Sequence, residues 1–233
     1  MLSEFIDRII EIQKPAIIDL DSRKYSTSRI YEVKNPVPNT FQIRTLTGIK
    51  DYFEKNADRL AFGEVVIIVE NFDKVLVTSA LYGNFLQRNE YIVSKQFENK
   101  FRFDSYYDVE EFIIQLQTNF ERTDHLLQIL SIIGNLKEEN VKNTSDDGVT
   151  QTVTAKSGIS LAKEVNLPNP VSLKPYRTFL EVDQPESQFV FRMKSGPVCG
   201  LFEADGGKWK LTAIENIRDW LAANLPKDVT IIA

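Results

Sequence analysis

Apolar residues change their spacing several times along this chain, and each change predicts a different element. Leu2, Phe5, Ile9 and Ile12 recur at helical spacing, with Glu4, Asp7 and Glu11 between them, which predicts an amphipathic first helix. "AIIDL" and "RIYEV" flank the polar "DSRKYSTS", and "TFQIRT" follows the turn signal "NPVPN", so short strands joined by polar turns come next. Leu46, Ile49, Phe53 and Ala57 then return to the helical period. "EVVIIVEN" and "KVLVTSAL" read as a β-hairpin turning at Phe72 and Asp73, and "EYIVSKQF" as a further strand.

The clearest helix is "DVEEFIIQLQTNFE". Val109, Phe112, Ile113, Leu116 and Phe120 fall on one face, and Asp108 with Glu111 has the capping-box offset. "TDHLLQILSIIGNLKEEN" predicts a second helix, apolar around much of its circumference, that belongs in a core or an interface. "PVSLKPYRTFLEV", "SQFVFRMKSG" and "PVCGLFEAD" read as strands. The helix "KLTAIENIRDWLAANLP" follows, with Leu211, Ile214, Ile217, Leu221 and Leu225 as its stripe, and "DVTIIA" adds a closing strand. Strands and helices cluster without βαβ alternation. The expected class is α+β: mixed, mostly antiparallel sheets packed against four or five helices.

Residues 140–169 break this pattern. They contain no aromatic residue and no run of large aliphatics, so they cannot build a core of their own. Within them Val149, Gln151, Val153 and Ala155 share one face of an expected strand, while Thr150, Thr152, Thr154 and Lys156 take the other. We expect a protruding β-rich arm on a single domain of residues 1–233, the alternative being subdomains of residues 1–105 and 106–233. Such an arm docks either on its own chain or on a second copy; the four residues of its less polar face are the candidate oligomerisation set.

Composition narrows the functional classes. The chain has 233 residues, 42% hydrophobic and 26% charged, as an ordinary water-soluble protein has. Its net charge of -5 disfavours a protein that gains affinity by neutralising many phosphates, so nucleic acid is not the expected partner. No apolar run approaches the roughly 20 residues of a membrane-spanning helix. Cys199 is the sole cysteine, so no intrachain disulfide forms and a cytoplasmic location is expected. Cys199 itself reads as a small buried hydrophobe.

Catalytic and metal motifs fail on spacing. "GLFEADGGKW" has Phe202 and Trp209 where a phosphate loop needs Gly and Ser or Thr, so Asp205, Gly206 and Gly207 read as a tight turn before the last helix. Asp19 with Asp21, and Asp146 with Asp147, sit in turn signals and lack the remaining ligands of a cation loop. His125 is the only histidine, placed early in a helix where capping suits it better than base catalysis. Glu203 and Asp205 complete a set of dispersed carboxylates that would serve a metal-dependent enzyme. No catalytic residue, metal site or cofactor is assigned, and a non-enzymatic role is favoured.

One cluster offers a binding surface. Lys174, Tyr176, Arg177, Arg192 and Lys194 lie on two strands close in sequence. In "QFVFRMK", Phe189, Phe191 and Met193 are expected to face the core, leaving Val190, Arg192 and Lys194 outward. An anionic small ligand such as a nucleotide could dock there with Tyr176 as a stacking surface. The competing reading is cross-strand pairing with Glu181, Asp183 and Glu186.

Three blocks carry a resemblance: "GNLKEENVKNTSDDGVTQTVTAKSGI", "NPVSLKPYRTF" and "QPESQFVFRMKSGPVCGLFEADGGKWKLTAIENI". With "TLTGIKDYF" and "YYDVEEFIIQLQ" they resemble the YfdQ-like family of phage and prophage proteins, a family of unknown function, over nearly the whole chain. The resemblance implies a phage or prophage gene product acting in the bacterial cytoplasm, and it carries no site residues. The expected function is therefore an accessory protein that self-associates and binds a host or phage component. A nucleotide or single-strand-binding module is the alternative, and a carboxylate-based enzyme the third.

Overall fold

The structure is a computed structural model that describes residues 2–20, 23–26, 37–83, 86–134, 144–146, 151–155, 163–166, 169–194 and 198–233. The chain falls into two compact units, Met1–Pro38 and Asn39–Ala233. In the first, helix α1 (Leu2–Gln13) precedes an antiparallel hairpin of β1 (Ile17–Leu20) and β2 (Arg23–Ser26). The second strand is thus "RKYS", inside the stretch expected to be a turn. Ile18 pairs with Tyr25 and Ile17 with Ser26, so a returning strand starts at Arg23, where the polar composition suggested a longer turn. "RIYEV" lies outside the described residues.

The second unit is built from two sheet-and-helix layers. A five-stranded sheet has the order β14-β4-β5-β6-β3: β3 is Phe41–Ile43, β4 Val65–Asn71, β5 Lys74–Ser79, β6 Glu90–Lys95 and β14 Thr230–Ile232. β4, β5 and β6 form an antiparallel meander whose first turn falls at Phe72 and Asp73, while β14 and β3 add parallel edges. Helices α2 (Leu46–Lys55) and α5 (Trp209–Asn224) bury Ile49, Phe53, Ile217 and Leu221 against Val65, Ile67, Val75, Val77 and Ile92. Period-two burial along β4 is what one covered face produces.

A four-stranded antiparallel sheet forms the other layer, in the order β11-β12-β13-β7. β11 is Val171–Leu173, β12 Ser187–Lys194, β13 Val198–Glu203 and β7 Ser105–Asp108. Helices α3 (Val109–Asn119) and α4 (Asp124–Gly134) cover one face, burying Phe112, Leu116, Ile129 and Ile133 against Phe189, Phe191, Met193, Cys199 and Leu201. Asp108 caps α3, its Oδ1 accepting from the Glu111 N–H at 2.8 Å. Gly200 permits a close backbone approach, since a Cβ there would lie 2.7 Å from the Ser105 carbonyl oxygen. Because α5 and β14 return to the first sheet, the layers do not separate at residue 105.

The α+β class is therefore as expected. The stripe of α5 is not: Trp209, Ala213, Ile217 and Leu221 are buried at strict four-residue spacing, whereas Leu211 is 63% exposed. Residues 174–186 are also mostly irregular rather than strand, crossing from one core to the other: Leu173 is buried in one and Phe179 and Val182 in the second. The Thr-rich arm forms a three-stranded antiparallel sheet, β8 (Thr144–Asp146), β9 (Gln151–Ala155) and β10 (Lys163–Asn166), with β9 in the middle. Among the described residues, no helix is long and apolar enough to cross a membrane.

Candidate functional site

The five cations and aromatics expected to form one surface are dispersed. Arg192 and Lys194 point away from the α3–α4 core on β12, as the alternation requires, and Lys194 Nζ lies 4.0 Å from the Tyr106 ring centroid. Arg192 is half-buried, with its Nη1 making no hydrogen bond. Lys174 pairs with Glu121 at 3.8 Å, and Tyr176 turns into a cleft between the layers.

Arg177 is not a surface group at all. It is 5% exposed, its guanidinium bonded to Glu203 and to Ser187 Oγ and lying 3.7 Å from the Trp209 ring centroid. Burial lowers its pKa to about 10 against the opposing pull of Glu203, so it stays charged at neutral pH. Of the expected partners, Glu181 is engaged elsewhere, accepting from the Thr47 N–H and hydroxyl. Glu203 faces Arg177 rather than a metal, and no group of His, Cys, Asp and Glu among the described residues could hold one.

Of the arm set, Gln151, Val153 and Ala155 lie on β9, while Val149 is outside the described residues. β9 pairs with β8 over Gln151–Val153 and with β10 over Thr152–Ala155, so Thr152 and Val153 are flanked on both edges within the chain. The need that pointed to an intermolecular partner, unpaired backbone groups, is thus met internally at the middle of this strand.

The cleft that holds Tyr176 has a volume of about 560 Å³. Its walls come from both layers: Arg44 and Thr45 before α2, Gln96 to Asn99 after β6, Thr118 and Asn119 ending α3, and Tyr176, Leu180 and Glu181 from the crossing segment. Asn99 locks the junction, donating to the Tyr176 carbonyl at 2.8 Å and the Asn119 carbonyl at 3.3 Å, while the Tyr176 N–H donates to Asn119 at 2.9 Å. Gln96 donates to the Arg177 carbonyl at 3.2 Å. Thr45 Oγ1 caps α2 through the Gly48 N–H, and Thr118 donates to Ile114 within its own helix. Arg44 reaches the Lys95 carbonyl and lies 5.7 Å from the Phe97 ring centroid.

The side chains of Gln96, Asn99, Thr118 and Asn119 are thus engaged with the protein, and the cleft also exposes large apolar groups. Phe97 is 66% exposed, Leu180 70% and Tyr176 36%, all on one concave surface. Isolated exposed apolar residues are ordinary; three around one cleft at a layer junction are what a recognition site looks like. The sequence reading found Tyr176 but missed Phe97 and Leu180. A signal existed for Leu180: it follows Phe179, and in an irregular crossing segment adjacent apolar side chains do not both reach one core.

No family model, no curated protein and no solved structure matches this chain.

Proposed function

We propose that this chain is a phage or prophage accessory protein that acts by binding, seating an apolar side chain of a host or phage polypeptide in the cleft between its two layers. The observation that carries the reading is the ring of Phe97, Tyr176 and Leu180 around a cleft of about 560 Å³. A hydrophobic anchor entering it would displace water from all three, while the surrounding amides and hydroxyls keep the bonds that shape the walls.

Catalysis is a weaker use of the same space. Among the described residues, the lining contains no serine, cysteine, lysine or histidine, and both of its threonine hydroxyls are occupied with backbone. A nucleotide phosphate fits poorly as well, because Arg44 is the one lining cation beside Glu98 and Glu181.

Panning a random peptide library against the purified chain tests this. Sequences with an aromatic or large aliphatic anchor should be enriched, and the Phe97→Asp/Leu180→Asp variant should retain at most about a tenth as much of them. No enrichment, or equal retention by the variant, would contradict the proposal.

A further inference from the structure

A second pocket, of about 310 Å³, opens where the start of β4 meets the end of β5 and the start of β6. All of its lining falls within residues 60–91, inside the unit Asn39–Ala233. Leu60, Val65 and Leu81 give it an apolar wall, and Glu64, Tyr82, Asn89 and Tyr91 bring the polar groups. Part of that polarity is used at home: Tyr82 Oη donates to Asn89 Oδ1 at 2.6 Å, and the Asn89 N–H donates to Ser79 Oγ at 2.9 Å. The Glu64 carboxylate and the Tyr91 hydroxyl make no hydrogen bond or ion pair among the described residues.

The charge of the pocket is one-sided. Among the described residues no lysine, arginine or histidine lines it. Arg88, outside the lining, has its Nη1 on the Ser79 carbonyl at 2.9 Å. Burial first, then neighbouring Tyr82, Glu64 and Asp58, hold the Tyr91 phenol above its ordinary pKa, and no cation opposes them. The long-range field has the same sign. Residues 1–38 carry six acidic and six basic side chains, so the whole net charge of -5 resides in residues 39–233.

We propose that this pocket binds an alkylammonium group, its head on Glu64 and the tyrosine hydroxyls and its stem along Leu60, Val65 and Leu81. An ammonium brings three donors and no acceptor, and the free oxygens here are acceptors facing no cation. Phenol rings beside a carboxylate add the attraction of an aromatic quadrupole for a cation, and an alkyl stem lies on apolar surface while its head stays polar. An anionic ligand meets the wrong sign. A metal ion meets too few ligands, since no group of His, Cys, Asp and Glu among the described residues could hold one. The pocket shares no lining residue with the cleft of Phe97, Tyr176 and Leu180, so the inference goes beyond the proposed function and stands apart from it. The same chemistry has two sources, a free polyamine and a lysine side chain of a polypeptide.

Backbone-amide NMR of the full chain tests it, with putrescine and N-acetyl-lysine methylamide as the probes. Each should move the resonances of Ala61, Val65, Ala80 and Leu81 saturably, with a Kd of roughly 0.1–10 mM, and the tighter of the two identifies the source. N-acetyl-norleucine methylamide, which keeps the alkyl stem and lacks the charge, should leave them in place, a comparison that needs no variant to fold. Glu64→Lys, a change at an exposed side chain, should weaken the better probe at least about tenfold. Resonances that stay still with both amines, equal movement by the norleucine compound, perturbation spread over acidic surface elsewhere, or an affinity unchanged in the variant would each overturn the proposal.

Discussion

Arg177 shows how a charged side chain comes to sit inside a protein that has surface to spare. Its guanidinium lies between Trp209, Phe103 and Phe189, with Glu203 and Ser187 at its ends, so one side chain ties the crossing segment to β12, β13 and α5. Removing it empties the space among three rings and takes the donor from Ser187 Oγ, while Glu203 stays solvated. Arg177→Ala should cost about 3–5 kcal/mol in urea unfolding, and a loss below ~1 kcal/mol would show that the ion pair does no more than an exposed one. Cys199 makes an opposite, pH-dependent case. Burial raises its thiol from 9.0 to about 12, so the folded state holds the proton over a range where the unfolded chain releases it. The folded state then binds more protons, and stability falls as pH climbs from about 9 toward about 12. Cys199→Ala should flatten that part of the fall in a pH series of unfolding midpoints; an unchanged slope would assign it to other groups.

At the scale of elements, α5 separates what periodicity reveals from what it hides. Counting large aliphatics from the sequence gives a stripe of Leu211, Ile214, Ile217, Leu221 and Leu225, yet the buried row begins at Trp209 and passes through Ala213. A small residue at a tight crossing is silent in a hydrophobicity count, and a leucine on the flank is loud. Leu211→Gln should therefore change stability by no more than ~0.5 kcal/mol. Ala213→Leu should cost about 1–3 kcal/mol by overpacking, both read from denaturant midpoints.

The β4–β5 hairpin, α3 with its Asp108 cap and the alternation of β12 were legible because local chemistry and burial agree there. β7 was not, since "SYYD" is short and carries one fully buried aromatic, Tyr107. Residues 170–182 read as one strand, but only Val171–Leu173 is one; beyond it Pro175 and the demand that the segment serve two cores make it irregular. The candidate site lies on that segment, so it was the least legible part: Tyr176 was visible, Arg177 was placed on the wrong side of the surface, and Phe97 could be found only once the layers were assembled.

For the molecule as a whole, charge and cleft lie in one unit. The body, residues 39–233, carries the net negative charge and a cleft at the junction of its layers, whereas residues 1–38 are neutral. The proposed function depends on one claim, that the cleft accepts an apolar anchor. Titration calorimetry of one selected peptide against the unaltered chain and against Leu180→Asp tests it most directly. The account predicts a negative heat-capacity change on binding and an affinity at least about tenfold weaker in the variant. Affinities that agree within about twofold would contradict it.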